Sequence, residues 1–371
     1  MQHIETRGRD LPDRDVQRPV AALAAWSLAG TPRPAADAGL INDTWIVVDE
    51  ADAPCAVLQW VAPLFDPRIH HDIAAVTERL AGQGLETPRL VPTRGGALCL
   101  DRDDEPGVWR VLTYVPGTTI HRVESPATAA AAGDLVGRFH AALADWTSEF
   151  EAPPRHIHDT RQRMRDLEAA LEGCDDHGLE APARALGRRI LDAWSSWDGT
   201  LDLPERPTHG DLKISNVRLL ARGADGEVDE AVALIDLDTL GLLPLAVEMG
   251  DAWRSWCNRA GEDTPNAAAL DLDLFAASAR SWLATLEAQI GPLPTDERAS
   301  LVPGIERIAL ELAARFCADA VQNSYFREDR TRHPEPGRHN LERARGQLNL
   351  AVDARAKRRR CEQLLETTHR G

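Results

Sequence analysis

Three side chains suited to phosphoryl transfer lie close together in this sequence. Asp211 and Asn216 are five residues apart, and Asp236 follows Asn216 by twenty residues. Phosphoryl transfer requires one carboxylate that orients the attacking hydroxyl, together with an amide oxygen and a second carboxylate that hold a metal ion against the nucleotide phosphates. Asp211, Asn216 and Asp236 supply these three groups. The sequence therefore predicts a phosphoryl-transfer site in this region.

Two short apolar segments are expected to position these side chains. Residues 231–235 are apolar and run directly into Asp236, as expected of a buried strand that delivers a ligand at its end. Residues 217–220 are a candidate partner strand, and the glycine-containing stretch 221–226 between the two segments predicts a turn. The two carboxylates would then lie at neighbouring ends of one hairpin, where they could share one Mg²⁺.

The short His-Gly-Asp stretch that contains Asp211 also allows a purely structural interpretation. His209 could pack against a neighbouring segment while Asp211 caps a polar turn. That interpretation leaves three metal-suited groups without a role, whereas a catalytic site accounts for all of them. We therefore favour the catalytic interpretation.

The composition favours a small-molecule partner over a large polyanion. The 371 residues include 59 acidic and 42 basic side chains, which gives a formal net charge of −17. Such a charge repels nucleic acid and anionic membrane over most of the surface, so we expect binding to neither. A nucleotide would have to bind through local backbone amides and a metal ion, which suits a magnesium complex better than a bare phosphate.

The chain length and the cysteines indicate a two-lobed protein in a reducing compartment. A chain of this length can bury a large core and favours two lobes over one. The six cysteines show neither zinc-ligand spacing nor a disulfide framework. The N-terminus lacks an apolar signal core, and no run of about 18 apolar residues occurs. These features predict a cytoplasmic protein, as a monomer or a homodimer.

The hydrophobic patterns divide the chain into three parts. Residues 1–19 are a polar N-terminal extension, 20–115 a small strand-rich lobe, and 116–371 a larger, mainly helical lobe. In the small lobe a helix is expected at 69–82, and strands are expected at 44–48, 56–61, 97–100 and 109–114. In the large lobe, helices are expected at 126–146, where Ser125 and Pro126 mark the start, and at 160–172, 181–197, 247–259, 267–290, 303–326 and 340–366. The predicted fold class is α+β, with the small sheet antiparallel.

The stretch from His209 to Asn216 resembles the catalytic loop of the aminoglycoside phosphotransferase superfamily, a group of small-molecule kinases with a protein-kinase-like fold. That loop has the form His-Gly-Asp followed by Asn at the spacing found here. The resemblance implies that Asp211 acts as the base or orients the acceptor hydroxyl, and that His209 supports the loop. It also implies that Asn216 and Asp236 bind Mg²⁺, with Asp238 as a further metal-ligand candidate.

Further segments resemble the N-acetylhexosamine 1-kinase-like branch of this superfamily. They occur in the expected order at 39–45, 57–59, 235–239, 249–251 with Arg254, Glu311 with 315–316, 325–326 and 339–345. Residues 317–324 depart from the pattern of the sugar kinase. This resemblance implies ATP as the phosphoryl donor and a sugar as the acceptor. Arg315 and Tyr325 are implied as acceptor-binding residues, since a guanidinium can donate to sugar oxygens and a phenol offers a stacking face. Surface pairing of Arg315 and core packing of Tyr325 fit the sequence equally well.

Five residues of the small lobe are candidates for ATP binding. Asn42 and Thr44 lie at a turn entering a strand, where they could reach phosphates, although an ordinary hairpin turn has the same composition. Gln59 occupies the position of the strand lysine that contacts phosphates in protein kinases. A neutral amide can donate a hydrogen bond there but cannot form the lysine–glutamate ion pair. Thr113 and Val115 lie in the expected hinge, where backbone groups could bind adenine.

The residues and the resemblance together predict an ATP-dependent kinase for a small-molecule hydroxyl. The acceptor expected first is the anomeric hydroxyl of an N-acetylhexosamine or a related sugar. A kinase for an aminoglycoside, a choline-like alcohol or another metabolite is the second hypothesis, and the acidic composition suits a cationic acceptor. A nucleotide-binding pseudokinase with a regulatory role is the third. Gln59 favours it, whereas the joint presence of Asp211, Asn216 and Asp236 argues against it.

Overall fold

The computed structural model describes residues 17–35, 41–154, 157–175, 177–221, 228–261 and 264–366. Within these residues the chain forms a small lobe built on an antiparallel sheet and a larger lobe built mainly from helices. The predicted bilobal α+β fold is therefore confirmed. Most of the predicted N-terminal extension, residues 1–16, lies outside the described residues, as do Gly39 and Leu40. None of the described helices combines the length and the apolarity needed to cross a membrane.

Six antiparallel strands form the sheet of the small lobe. They are β1 (Thr31–Pro34), β2 (Asp43–Val48), β3 (Pro54–Val61), β4 (Leu90–Val91), β5 (Leu100–Asp101) and β6 (Val108–Thr113). Their order in the sheet is β1-β2-β3-β6-β4, and β5 also pairs with β6. Two helices accompany the sheet, namely α1 (Gln17–Leu23) and α2 (Ile69–Gly82).

The two faces of this sheet have different roles, because side chains alternate along each strand. Leu58 and Trp109 are fully buried in a core that α1 also joins, and Trp45 packs on Trp109 with ring centroids 5.3 Å apart. Their chain neighbours Gln59 and Arg110 lie directly opposite each other in the β3–β6 pair and point to the other face. That other face is turned towards the large lobe.

One predicted strand of the small lobe is wrong, while the other predicted elements are confirmed. Residues 97–99 are not extended, and only Leu100–Asp101 pairs with β6. The cause is a tight turn in which Thr93 N donates to Ala97 O at 2.8 Å and Ala97 N donates to Thr93 Oγ1 at 3.0 Å. This turn uses both backbone hydrogen-bonding groups of Ala97, so a strand cannot begin there.

Seven helices form most of the large lobe. They are α3 (Pro126–Ala142), α4 (Thr160–Glu172), α5 (Glu180–Ser195), α6 (Leu245–Trp256), α7 (Leu272–Ile290), α8 (Thr295–Gln322) and α9 (Arg338–Glu366). As predicted, Ser125 caps α3 by accepting from Thr128 N at 3.1 Å, although this helix ends at Ala142 and not at Trp146. Helix α8 begins eight residues before the predicted start, because Pro303 lies inside it and not at its first turn.

Helices α6 and α8 approach each other closely enough that only glycine fits at their contact. A Cβ atom on Gly304 would lie 2.0 Å from Ala246 O, and one on Gly250 would lie 2.5 Å from Gly304 O. Both distances are far below van der Waals contact, so the glycines set the separation of the two helices. Helix α6 also carries Glu248, which contacts the predicted catalytic loop.

Two small two-stranded antiparallel sheets connect these helices with the predicted site. Strand β7 (Arg206–Thr208) pairs with β10 (Gly241–Leu243), and β8 (Val217–Ala221) pairs with β9 (Val228–Leu234). The predicted pairing of strands on either side of the turn is confirmed, and the turn itself lies outside the described residues from 222 to 227. Asp211 and Asp236 therefore lie in adjacent loops at one end of the β8–β9 pair.

Candidate active site

His209 fastens the two loops that carry Asp211 and Asp236. It is fully buried at the end of β7, with Nε2 2.9 Å from Ile235 O and Nδ1 accepting from Asp211 N at 3.3 Å. A neutral imidazole with its proton on Nε2 satisfies both contacts. The hydroxyl of Thr239 adds a third link by donating to His209 O at 2.7 Å. His209 thus joins the two loops, and its supporting role in catalysis stays a prediction.

Glu248, on α6, accepts hydrogen bonds from the backbone of the same loop. Its two carboxylate oxygens accept from His209 N at 2.8 Å and from Gly210 N at 3.0 Å. Burial alone would raise the pKa of Glu248, but hydrogen bonds from His140 and from the His209 amide help to outweigh it, and the pKa is lowered. Gly210 is itself required, because its φ is +82° and a Cβ atom there would lie 2.3 Å from Thr239 O.

Lys213 lies between the two predicted functional carboxylates. Its ammonium is 2.7 Å from Asp211 Oδ2 and 3.9 Å from Asp236 Oδ2. Asn216 donates through Nδ2 to Asp211 O at 2.8 Å and to Asp211 Oδ2 at 3.1 Å. Solvent reaches 30 % of the Asp211 side chain and 41 % of the Asp236 side chain. The predicted groups are therefore assembled in one place, where the two carboxylates are open to solvent and Asn216 is buried beside them.

The two carboxylates differ in their charge environment. Burial raises the pKa of Asp211, but the adjacent Lys213 ammonium outweighs it, so that the pKa lies below its ordinary value. For Asp236, burial raises the pKa, Lys213 only partly opposes it, and the carboxylates of Asp238 and Asp211 add to the increase. Solvent contact on the Asp236 side chain moderates this shift. Asp211 is thus ionised at neutral pH, whereas Asp236 lacks a full counter-charge.

Asp236 also has an unusual backbone conformation. Its φ of 65° and ψ of 56° place it in the left-handed region, which is sparsely populated by residues other than glycine. A neighbouring contact stabilises this conformation, because Ile235 N donates to Asn216 O at 2.9 Å. Strained residues of this kind concentrate at functional sites, where the surrounding structure fixes a side-chain direction.

The donor set around Asp236 fits a metal ion that is shared with a nucleotide. Among the described residues, no group of three or more His, Cys, Asp and Glu side chains is arranged to hold a metal. Mg²⁺ in nucleotide enzymes instead takes one or two carboxylates and completes its shell with phosphates and water. Asp236 and Asn216 offer one carboxylate and one amide, and the incompletely balanced charge of Asp236 suits an added cation. Their role as ligands stays a prediction.

Comparison with known families identifies the chain. A model of the phosphotransferase enzyme family, abbreviated APH, matches residues 33–287, which include both predicted functional loops. The chain belongs to this family. The resemblance seen in the catalytic loop is thereby confirmed at the level of the family, while the match carries no information on the N-acetylhexosamine 1-kinase-like branch.

Solved structures show that this phosphotransferase shares the kinase-like bilobal fold. A microcompartment-associated aminopropanol kinase is 17 % identical, with a TM-score of 0.60 and coverage of 92 % of this chain and 98 % of that one. An aminoglycoside phosphotransferase from Alicyclobacillus acidocaldarius is 16 % identical, with a TM-score of 0.54 and coverage of 93 % and 96 %. An amicoumacin kinase solved with AMP-PNP and Ca²⁺ is 13 % identical, with a TM-score of 0.56 and coverage of 89 % and 93 %. At these identities the likeness concerns the fold.

Four of the predicted ligand-binding residues of the phosphotransferase meet in a buried network around Arg110. Arg110 pairs with both carboxylate oxygens of Asp238 and donates twice to Gln59 Oε1, at 2.9 Å and 2.8 Å. Asn42 donates to Asp238 Oδ2 at 2.7 Å, and Gln59 donates to Thr44 Oγ1 at 3.1 Å. Metal binding by Asp238 and phosphate contact by the other three stay predictions. Arg110 itself was not predicted as a site residue.

The two hinge residues lie where the sheet leads into the large lobe. Thr113 N donates to Arg89 O at 2.8 Å, and the Thr113 hydroxyl accepts from Arg89 N at 2.9 Å. Val115 O accepts from Arg218 at 3.2 Å. These contacts fix the hinge to both lobes, and adenine binding by Thr113 and Val115 stays a prediction.

The two predicted acceptor residues contact each other at the end of α8. The Arg315 guanidinium lies 5.5 Å from the ring centroid of Tyr325 and 5.3 Å from that of Phe326, which is a cation–π arrangement. Tyr325 is 53 % exposed and does not pack in the core. The pair forms a polar and aromatic surface one helical turn from Glu311.

His158 links this end of α8 to the catalytic loop. Its Nδ1 is 2.9 Å from Glu311 Oε1 and its Nε2 is 3.2 Å from Gly210 O, so both ring nitrogens face acceptors and both carry protons. Burial lowers the pKa of His158, but the Glu311 carboxylate outweighs it and raises the pKa. The partners of His158 lie 52 and 153 residues away, so the sequence carries no local signal for the contact.

Proposed function

We propose that this phosphotransferase is an ATP-dependent kinase that transfers the γ-phosphoryl group to a hydroxyl of a small molecule. The observation that carries the proposal is the meeting of Asp211, Lys213 and Asp236 at solvent-open positions of two loops fastened by His209. A protein that only bound nucleotide would have no use for an ionised carboxylate held in this position.

The residues of the site have separable roles in the proposed reaction. Asp211, with its lowered pKa, accepts a hydrogen bond from the acceptor hydroxyl and orients its oxygen for in-line attack. Lys213 keeps Asp211 ionised, and Glu248 and His209 hold the loop. Asn216 and Asp236 would hold Mg²⁺, which offsets phosphate charge when it is bound. Positioning and charge stabilisation supply most of the rate enhancement.

The acceptor that we propose is the anomeric hydroxyl of an N-acetylhexosamine or a related sugar. The support is the ordered resemblance along the chain and the arrangement of Arg315 and Tyr325. Arg315 offers a fork of N–H donors and the exposed ring of Tyr325 offers a flat face, which together match the hydroxyls and the apolar face of a sugar ring.

A cationic alcohol is the second candidate acceptor. Two of the solved structures of the same fold are named as an aminopropanol kinase and an aminoglycoside phosphotransferase. Asp251 on α6 accepts from Arg254 through Oδ1 at 2.9 Å, while its buried Oδ2 has no hydrogen-bond partner among the described residues.

A panel of acceptors tests the proposal. The purified protein is incubated with ATP, Mg²⁺ and sugars, amino alcohols, aminoglycosides and choline, and new ³¹P signals are recorded. We expect a sugar 1-phosphate signal that is lost in Asp211→Asn and kept in Asp192→Asn, an exposed aspartate on α5. A phosphate ester of an amino alcohol or an aminoglycoside would instead establish the second candidate. ATP binding with no Asp211-dependent product from any acceptor would contradict the kinase and favour a pseudokinase.

A further inference from the structure

The small lobe lacks a cation at the strand position where one is expected, yet a buried cation lies beside it. Position 59 holds a neutral glutamine. Arg110 is its direct partner in the β3–β6 register, and both side chains point to the same face of the sheet. The guanidinium of Arg110 therefore lies next to the end of the Gln59 side chain, to which it donates two hydrogen bonds.

The contacts of Arg110 join the two lobes. Its guanidinium pairs with both oxygens of Asp238, a residue 128 positions later in the large lobe. Solvent reaches only 2 % of the Arg110 side chain and 1 % of the Asp238 side chain. Asn42 completes the carboxylate shell by donating to Asp238 Oδ2, and it accepts in turn from Ala62 N at 3.1 Å. A buried pair whose hydrogen bonds are satisfied on both sides is fixed in geometry.

Asp238 lies in the same short turn as the predicted metal ligand. Residues 237–239 form one turn of 3₁₀ helix that follows directly on Asp236. On one side, Thr239 and Ile235 are bound to His209. On the other side, Arg110 and Asn42 bind Asp238. The left-handed backbone of Asp236 lies between Ile235 and Asp238, so these contacts fix the chain before and after it and can hold its carboxylate in a defined direction.

We propose that Arg110 is the positioning residue of the metal–nucleotide site. It supplies from β6 a buried cation that joins the two lobes, and it aims Asp236 by fixing Asp238 without itself contacting the phosphates. The inference rests on the proposed function, because it assumes that Asp236 holds the metal bound to ATP. In this proposal Asp238 is held by Arg110 and helps to position Asp236. It is not itself a metal ligand.

The test measures how strongly ATP binding depends on Mg²⁺, because this readout requires no knowledge of the acceptor. ATP dissociation constants are determined at graded Mg²⁺ concentrations for the wild type, Arg110→Gln, Asp238→Asn and the double variant. Adenosine binding reports the purine site alone. Arg298→Gln is the matched control, since it breaks a largely buried ion pair with Glu287 between α7 and α8, away from the site. Thermal melting of each protein shows that it is folded.

We expect the Mg²⁺ concentration that half-saturates ATP binding to rise by about tenfold or more in Arg110→Gln and in Asp238→Asn, as is typical when a residue that orients a metal ligand is removed. Adenosine binding should be unchanged in both. The double variant leaves no unpaired buried charge, and its requirement for Mg²⁺ should not exceed that of the worse single variant, because both changes break one interaction. Arg298→Gln should melt earlier without any change in the requirement for Mg²⁺.

Two results would overturn the inference. One is a folded Arg110→Gln or double variant with the wild-type requirement for Mg²⁺. The other is an equal loss of adenosine and Mg²⁺-dependent ATP binding, which would make Arg110 a support for the whole lobe. Wild-type protein that fails to bind ATP with Mg²⁺ would instead refute the proposed function, so the two failures are distinguishable.

Discussion

One ammonium group serves both functional carboxylates of the site. Lys213 lies 2.7 Å from Asp211 and 3.9 Å from Asp236, and at these distances its charge acts mainly on Asp211. The result is a pair of carboxylates with opposite pKa shifts, lowered for Asp211 and raised for Asp236. When two neighbouring carboxylates have different charge environments, they can serve different roles in one site. In the proposed reaction Asp211 is the ionised group that faces the acceptor, and Asp236 is the group that binds the metal.

Replacing Lys213 should therefore change the pH dependence of the reaction. A lowered pKa means that the ionised form of Asp211 persists to lower pH than for an ordinary aspartate. In Lys213→Met the opposing charge is lost and burial raises the pKa of Asp211, so activity should fall at a higher pH on the acidic limb of the kcat profile.

The pH profile of kcat for both proteins provides the measurement. Lys357→Met is the control, since Lys357 pairs with Asp353 one turn away on α9 and should leave the profile unchanged. An acidic limb at the same pH in Lys213→Met and wild type would show that Asp211 is not the group whose ionisation limits the rate.

The sequence predicts the site residues that lie within one local motif. It does not predict the residues that contact this motif from distant parts of the chain. Asp211 and Asn216 share a loop, so their types and spacing suffice. Glu248, Arg110 and His158 bind this region from other elements, and nothing near them in the sequence indicates their partners. Lys213 stands two residues after Asp211, and that spacing was the available signal for it.

The position of the catalytic loop depends on how closely α6 approaches α8. Glu248 on α6 accepts hydrogen bonds from two amides of the loop, so a shift of α6 moves the loop. The separation of the helices is set at Gly304, where a Cβ atom would lie 2.0 Å from Ala246 O. The backbone oxygen cannot move aside as a flexible side chain would.

Gly304→Ala should therefore destabilise the protein by about 1–3 kcal/mol, the range typical of an overpacked core, and should lower kcat as well. Gly82→Ala at the last residue of α2 is the control, because a Cβ atom there meets nothing within 4 Å and alanine should not destabilise the protein. Denaturant unfolding and steady-state kinetics on both variants measure these effects. Wild-type stability in Gly304→Ala would show that the helices tolerate a wider separation.

At the element scale, periodicity was sufficient wherever an element is long or is bounded by clear signals. Helix α2 was predicted at its observed bounds from its apolar spacing, and the β8–β9 pair from an apolar run that ends at Asp236. The strand predicted at 97–100 was wrong, because a side-chain and backbone turn between Thr93 and Ala97 competes with extension. The start of α8 was misplaced, because a proline can lie inside a long, well-packed helix.

At the scale of the whole molecule, the sequence has an excess of acidic residues, whereas the proposed phosphoryl donor is an anion. With a net charge of −17, long-range attraction cannot bring a free nucleotide to the cleft. The local cations Lys213 and Arg110 are both paired with carboxylates, so the site itself has little positive charge to offer. A nucleotide that arrives with Mg²⁺ carries part of the needed charge with it, which is consistent with the raised pKa of Asp236.

We propose that Asp211 acts on the acceptor hydroxyl while the two lobes bind the nucleotide independently of it. With the acceptor found in the panel, kcat and the dissociation constant of Mg²⁺-ATP are measured for wild type and Asp211→Asn. We predict that kcat falls by about 10²–10⁴, the usual contribution of a general base, and that Mg²⁺-ATP binding is unchanged. Turnover at the wild-type rate in Asp211→Asn would show that Asp211 does not act on the acceptor hydroxyl.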